Sequence, residues 1–204
     1  MDIFVNRIIV GDMGVNCYIV GNEESVFIID PGDEAEYIIN EVGNKKIEFI
    51  LLTHGHIDHI MALNKIKEMI NTKVYISELD KDFLFDSKKN LSYFLGYNYV
   101  YKYDVEVLKD SDTIEFKNTK IKVISTPGHT PGGLCFYINN MLFSGDTLFR
   151  QSIGRTDFPG GDYATLIKSI REKLLKLPPD TIVYPGHMEE TTIGFEKDHN
   201  PFLI

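Results

Sequence analysis

Along the chain, apolar positions gather into short runs rich in β-branched and aromatic residues, each closed by Gly, Pro, Asn or Asp. That pattern predicts strands over 7–10, 17–20, 26–29, 49–53, 73–76, 113–116, 121–125, 134–138, 141–144 and 181–184. A helical period takes over in 34–42, 59–70 and 163–175, with Ile60, Leu63, Ile66 and Ile70 on one face of the second and Leu166, Ile167, Ile170 and Leu174 on one face of the third. Asn139-Asn140 separates two apolar strands and reads as a two-residue hairpin turn, because Asn tolerates the left-handed backbone that a type I′ turn needs. Pro178-Pro179 reads as the stop after the third helix. With no repeat and no low-complexity linker, residues 1–204 are expected to form one layered α/β domain.

One segment departs from this rhythm. Phe83, Phe85, Tyr93, Phe94, Tyr97, Tyr99, Tyr101 and Tyr103 put eight of the chain's 24 aromatics into 21 residues, and 97–103 alternates with strand period. The segment reads as an aromatic face packed on the core or on a second subunit, in which case the chain is a homodimer, or else as a wall of a substrate pocket.

Composition narrows the function classes. Against 21 Lys and Arg stand 30 Asp and Glu, a formal net charge of −9, so nucleic acid and anionic membrane surfaces are not expected partners. The N-terminal residues lack the cationic start and apolar stretch of an export signal, and no apolar run approaches the ~18 residues of a membrane helix, so a cytoplasmic protein is expected. Cys17 and Cys135 each lie inside an apolar run and read as buried free thiols.

The chemistry concentrates after the strand at 49–53, where His54, His56, Asp58 and His59 fall within six residues. On a strand-to-helix turn, His54 and His56 can converge on one metal while Asp58 and His59 face a second, and Gly55 lets the backbone bend between them. Two further strands end in Pro-Gly-His, at His129 and His187, and the strand at 141–144 ends in Gly145-Asp146. The strand at 26–29 likewise ends in Asp30-Pro31-Gly32. A closed structural zinc site needs four ligands, so seven N/O donors without cysteine argue for a two-metal site with open positions, and therefore for catalysis. Asp146 is the natural bridge, since a carboxylate offers one oxygen to each of two cations. These donors suit Zn, Fe and Mn. His199, with no strand before it, reads as structural.

Thr53-His54-Gly55-His56-Ile57-Asp58-His59 resembles the signature of the metallo-β-lactamase superfamily, and the remaining ligands follow in the family's order over nearly the full length. The resemblance implies a four-layer αβ/βα sandwich with His54, His56 and His129 on one metal, Asp58, His59 and His187 on the other, and Asp146 bridging. Gly128-His129-Thr130-Pro131-Gly132-Gly133, Phe143-Ser144-Gly145-Asp146-Thr147-Leu148-Phe149 and Gly154-Arg155-Thr156-Asp157 are similar to the glyoxalase II group. The tail, Thr191-Thr192-Ile193-Gly194-Phe195-Glu196 and Asn200-Pro201-Phe202-Leu203, is similar to that group's short, stand-alone bacterial members. Arg155 matches a basic residue that contacts glutathione in the family. Two glutathione-contacting tyrosines appear here as Asp157 and Glu189, and the family's added C-terminal helical domain has no counterpart before Ile204.

The function so implied is hydrolysis of a small-molecule hydroxyacyl thioester. A hydroxide bridging two divalent ions, zinc first among them, attacks the acyl carbon while Asp58 orients it and accepts its proton. A thiolate leaves without a strong general acid, its conjugate acid lying near ~8.5, which favours a thioester over a lactam. The alternative is a mononuclear Fe(II) persulfide dioxygenase, which has a loop similar to Gly154-Arg155-Thr156-Asp157-Phe158.

Overall fold

The computed structural model describes residues 3–204, which fall into two compact units: 3–76 with 81–107, and 77–80 with 108–204. The first unit is built on a six-stranded sheet ordered β1 (Phe4–Val10), β2 (Val15–Gly21), β3 (Ser25–Ile29), β4 (Lys46–Leu51), β5 (Lys73–Ser77) and β6 (Glu106–Leu108). Strands β1 to β3 form an antiparallel meander and β3 to β5 run parallel. The parallel part requires crossovers, supplied by α1 (Ala35–Val42) and by α2 (Ile57–Ile60) with α3 (Leu63–Met69). Every residue of β2 and β3 is buried, the run expected of central strands covered on both faces. Ile38 and Val42 of α1 and Leu63 and Ile66 of α3 close over Ile28, Ile50 and Val74 to make one core.

The second unit carries a six-stranded sheet in the order β14, β13, β10, β9, β8, β7: β7 (Thr113–Phe116), β8 (Thr119–Ser125), β9 (Leu134–Ile138), β10 (Met141–Gly145), β13 (Ile182–Pro185) and β14 (Thr191–Thr192). Only β10 and β13 pair in parallel, with α4 (Tyr163–Glu172) in the connection. Leu166 and Ile170 of α4 pack on Cys135, Leu142 and Val183. Asp162 caps α4 by accepting the Thr165 amide at 2.7 Å. A small hairpin of β11 (Leu148–Phe149) and β12 (Ser152–Ile153) follows β10, and α5 (Ile193–His199) ends the unit.

Most expected elements appear near their expected bounds. Asn139 and Asn140 have φ of 48° and 63° and join Ile138 to Met141, the type I′ geometry the dipeptide implies. The expected helix over 59–70 is interrupted: the Ala62 amide donates to Pro31 (3.2 Å), and the Ile60 carbonyl accepts the Tyr99 hydroxyl (2.9 Å). Tertiary partners have replaced two helical ones.

The alternating segment 97–103 forms no strand. Its backbone amides are taken singly, Tyr99 by Ser92 Oγ, Tyr101 by the Leu84 carbonyl and Lys102 by Asn64 Oδ1. Tyr101 is buried with Tyr99 and Tyr103 packed beside it in the first core, while Tyr93, Phe94 and Tyr97 are exposed. Both cysteines are buried and outside any disulfide. Among the described residues no helix is long and apolar enough to cross a membrane.

Candidate metal centre

The first donor cluster forms where β4 hands over to α2. His56 sits at the helix N-cap in extended conformation (φ −72°, ψ 151°), which turns the chain sharply and brings successive donors into one space. The His54 and His56 rings lie 4.8 Å apart at 88°, and those of His54 and His59 lie 4.2 Å apart. All three imidazoles are buried. Asp58 Oδ2 stands 3.5 Å from His59 Nε2.

Beneath this cluster lies a carboxylate to which sequence reasoning gave no role. Asp30, at the end of β3, has φ 51° and is buried. Its Oδ1 accepts the Thr53 amide (2.8 Å), and its Oδ2 accepts both the Thr53 hydroxyl (2.6 Å) and His59 Nδ1 (2.9 Å). A carboxylate only accepts, so His59 carries a proton on Nδ1, which leaves Nε2 as the nitrogen that would bind a metal. The signal was present in the Asp-Pro-Gly at a strand end, but its partner lies 29 residues away. Gly32 is required for closeness, because a Cβ there would run into the Asp58 carbonyl.

The second unit holds the other three predicted ligands. His129 follows β8 on a turn in which Gly128 has φ 136° and approaches the α4 backbone at Leu166 too closely for a side chain. Its Nδ1 donates to the Arg155 carbonyl at 2.7 Å, which again directs the lone pair to Nε2. Asp146 follows β10, and its Oδ2 lies 3.6 Å from His129 Nε2 and 3.8 Å from His187 Nε2. These separations exceed hydrogen-bond range and approach the ~3.4 Å between two ligands each ~2.1 Å from one tetrahedral ion. Imidazole nitrogens beside carboxylates, with Nδ1 of His59 and of His129 held by an acceptor so that Nε2 faces the donor cluster, are a donor set fit for divalent metal.

Arg155 is engaged within its own loop. Its Nε and NH2 each donate to Asp157 at 2.7 Å, and its guanidinium lies 3.9 Å over the Phe158 ring. The hydrogen bond from Arg155 holds the Asp157 carboxyl down to about 2. His199 stacks on Phe195 at 4.6 Å in α5, in keeping with a structural role.

Residues 10–187 match the model of the metallo-beta-lactamase superfamily. The chain belongs to that superfamily. A hydroxyacylglutathione hydrolase, GloC of Haemophilus influenzae, is 38% identical over 195 residues, covering 92% of each chain. Among solved structures, the BLEG-1 B3 metallo-beta-lactamase superposes with a TM-score of 0.93 at 38% identity, over 98% of this chain and 99% of that one. TTHA1623 in a di-iron-bound form gives 0.87 at 36% identity, over 98% and 100%. ETHE1 from Myxococcus xanthus gives 0.79 at 26%, over 97% and 83%. The fold is therefore the metallo-β-lactamase fold, an αβ sandwich of mixed sheets, and the chain is a superfamily member with a glyoxalase II among its relatives.

Proposed function

We propose that this metallo-β-lactamase superfamily member is a dinuclear metal-dependent hydrolase of a hydroxyacyl thioester. The observation that carries the reading is Asp146, whose Oδ2 lies 3.6 and 3.8 Å from the Nε2 atoms of His129 and His187, two histidines assigned to different ions, which supports a bridging role. His54, His56 and His129 would hold one ion, and Asp58, His59 and His187 the other. The GloC relative supports the thioester, and the di-iron form of TTHA1623 supports two ions. Two divalent ions held there would supply an acidified water, with a pKa of ~7, and stabilisation of negative charge on the acyl oxygen.

The chain's own residues do the rest. Asp58 takes the proton released as the water oxygen bonds to the acyl carbon. The carbon–sulfur bond then breaks, and the thiolate leaves without a general acid. Asp30 and the Arg155 carbonyl keep the protons of His59 and His129 on Nδ1, so both rings stay ligands throughout. Arg155 is the proposed substrate contact, already committed to Asp157 on two of its nitrogens.

The B3 enzyme at 38% identity makes β-lactam hydrolysis the second reading, and the Gly154–Phe158 loop favours the iron dioxygenase as a third. Counting metal per chain by elemental analysis, followed by assays on thioesters, a chromogenic cephalosporin and a persulfide with oxygen, separates them. Two ions with thioester turnover is the expected result. One iron with oxygen uptake, or lactam cleavage alone, overturns it. His56→Ala is expected to lower bound metal and abolish turnover in a chain whose circular dichroism is unchanged.

A further inference from the structure

A cavity of about 230 Å³ opens in the first unit directly beside Asp58. Its walls include Asp12 and Met13 from the β1–β2 turn, Asp33 from the loop after β3, and Met61 and Tyr97. The turn is held in place: Gly14 donates to the Gly11 carbonyl at 3.0 Å, and the Gly11 amide donates to Glu34 Oε2 at 3.1 Å. Gly11, at φ 68°, leaves room for Asp33, whose Cβ would lie 3.0 Å from a Cβ placed there. The volume corresponds to about eight waters at ~30 Å³ each, which is room for one side group of a substrate and too little for a whole drug-sized ligand.

The chemistry of the walls is lopsided. Thioether and phenol surfaces supply apolar contact that adapts in shape, and a Tyr face also attracts a cation. Asp12, Asp33 and Asp58 are among its lining residues, with no Lys or Arg; Asp58 is committed to the proposed metal centre, which leaves Asp12 and Asp33 as the cavity's own acidic residues. A carboxylate entering it meets the like charges of Asp12 and Asp33, whereas a neutral or cationic group does not.

We propose that this cavity is a specificity subsite that takes an apolar, uncharged or cationic group of the substrate and rejects a carboxylate. The proposal rests on the thioester-hydrolase reading of the neighbouring centre and deepens it. A glutathione thioester, whose thiol part carries two carboxylates, is then a poor substrate. Arg155, the residue that the glyoxalase II resemblance assigns to glutathione, points the same way on the second unit, since its charge is already matched by Asp157.

The subsite group comes from either side of the thioester, and binding of non-hydrolysable thioethers to the metal-loaded protein distinguishes the two. One arm compares S-butylcysteamine, S-butyl-N-acetylcysteamine and S-butylglutathione by calorimetry. The other keeps N-acetylcysteamine and varies the S-substituent as pentyl, 5-aminopentyl and 4-carboxybutyl. In one arm the neutral and cationic compounds are expected to bind at least about tenfold more tightly than the carboxylates. The double variant Asp12→Asn, Asp33→Asn, which changes an exposed and a half-buried side chain, is expected to shrink that ratio about threefold or more with metal content unchanged. Equal binding across charge in both arms, or a preference that the double variant leaves intact, overturns the subsite. Because the readout is binding, absence of thioester turnover would remove the hydrolase reading while the charge preference still decides the cavity's role.

Discussion

At the residue scale, three donors converge on Asp30, and the replacement Asp30→Asn probes what that convergence does. An amide offers one acceptor atom in place of two, so the Thr53 amide, the Thr53 hydroxyl and His59 Nδ1 can no longer all be served. His59 then loses its fixed tautomer. Metal affinity is expected to fall about 10- to 100-fold, measured by competition with a chromophoric chelator, while the chain remains folded. Asp157 yields a second prediction. Its folded pKa is depressed by the hydrogen bond from Arg155, so the pair's contribution is fully present above the ordinary carboxylate range and is lost as pH falls through about 2. Both side chains are largely exposed, so the effect on stability is small. A carboxyl NMR titration is expected to place Asp157 near 2 in the native chain and clearly higher, towards the ordinary ~3.9, in Arg155→Ala.

At the scale of elements, the proposed ligands ride on turns that glycine makes possible. Gly154, just after β12, passes so close to the Asp146 carbonyl that a Cβ there would overlap it. Gly154→Ala is therefore expected to displace Asp146, lower metal content and cost about 1–3 kcal/mol in urea unfolding. Gly43→Ala is the control: it sits after α1 at φ 67°, ψ −134° with nothing within 4 Å, so a backbone penalty of about 1–3 kcal/mol is the sole cost and bound metal is unchanged. The α2–α3 break belongs to this scale as well. Ile57, Ile60, Leu63 and Ile66 keep a helical spacing and are all buried, yet the amide of Ala62 and the carbonyl of Ile60 answer to Pro31 and Tyr99. Periodicity reports which face is buried and is silent on which hydrogen bonds are exchanged.

For the whole molecule, bound metal and folding are linked. Ions held only by the folded chain add about 2.7 kcal/mol at a hundredfold excess over Kd. For a chain of this size 1 kcal/mol moves Tm by about 2–4 °C, so chelation is expected to lower Tm by about 5–10 °C in calorimetry, with recovery on returning the metal. An unchanged Tm would place the ions outside the folded ligand set. The sequence by itself determined the donors and their local setting: His54, His56, Asp58 and His59 on one strand-to-helix turn, His129, Asp146 and His187 at strand ends, the Asn139-Asn140 hairpin and the buried faces of the helices. These features depend on neighbours a few residues away, and residue type and spacing report them. Only the tertiary structure decided that Asp30 fixes His59 across 29 residues and that the Arg155 carbonyl fixes His129 across 26. It alone paired Arg155 with Asp157, and it let Asn64, Ser92 and Leu84 take the amides of a segment whose alternation suggested a strand. Each of those outcomes depends on which groups meet when distant segments close on one another, and local spacing carries no record of that.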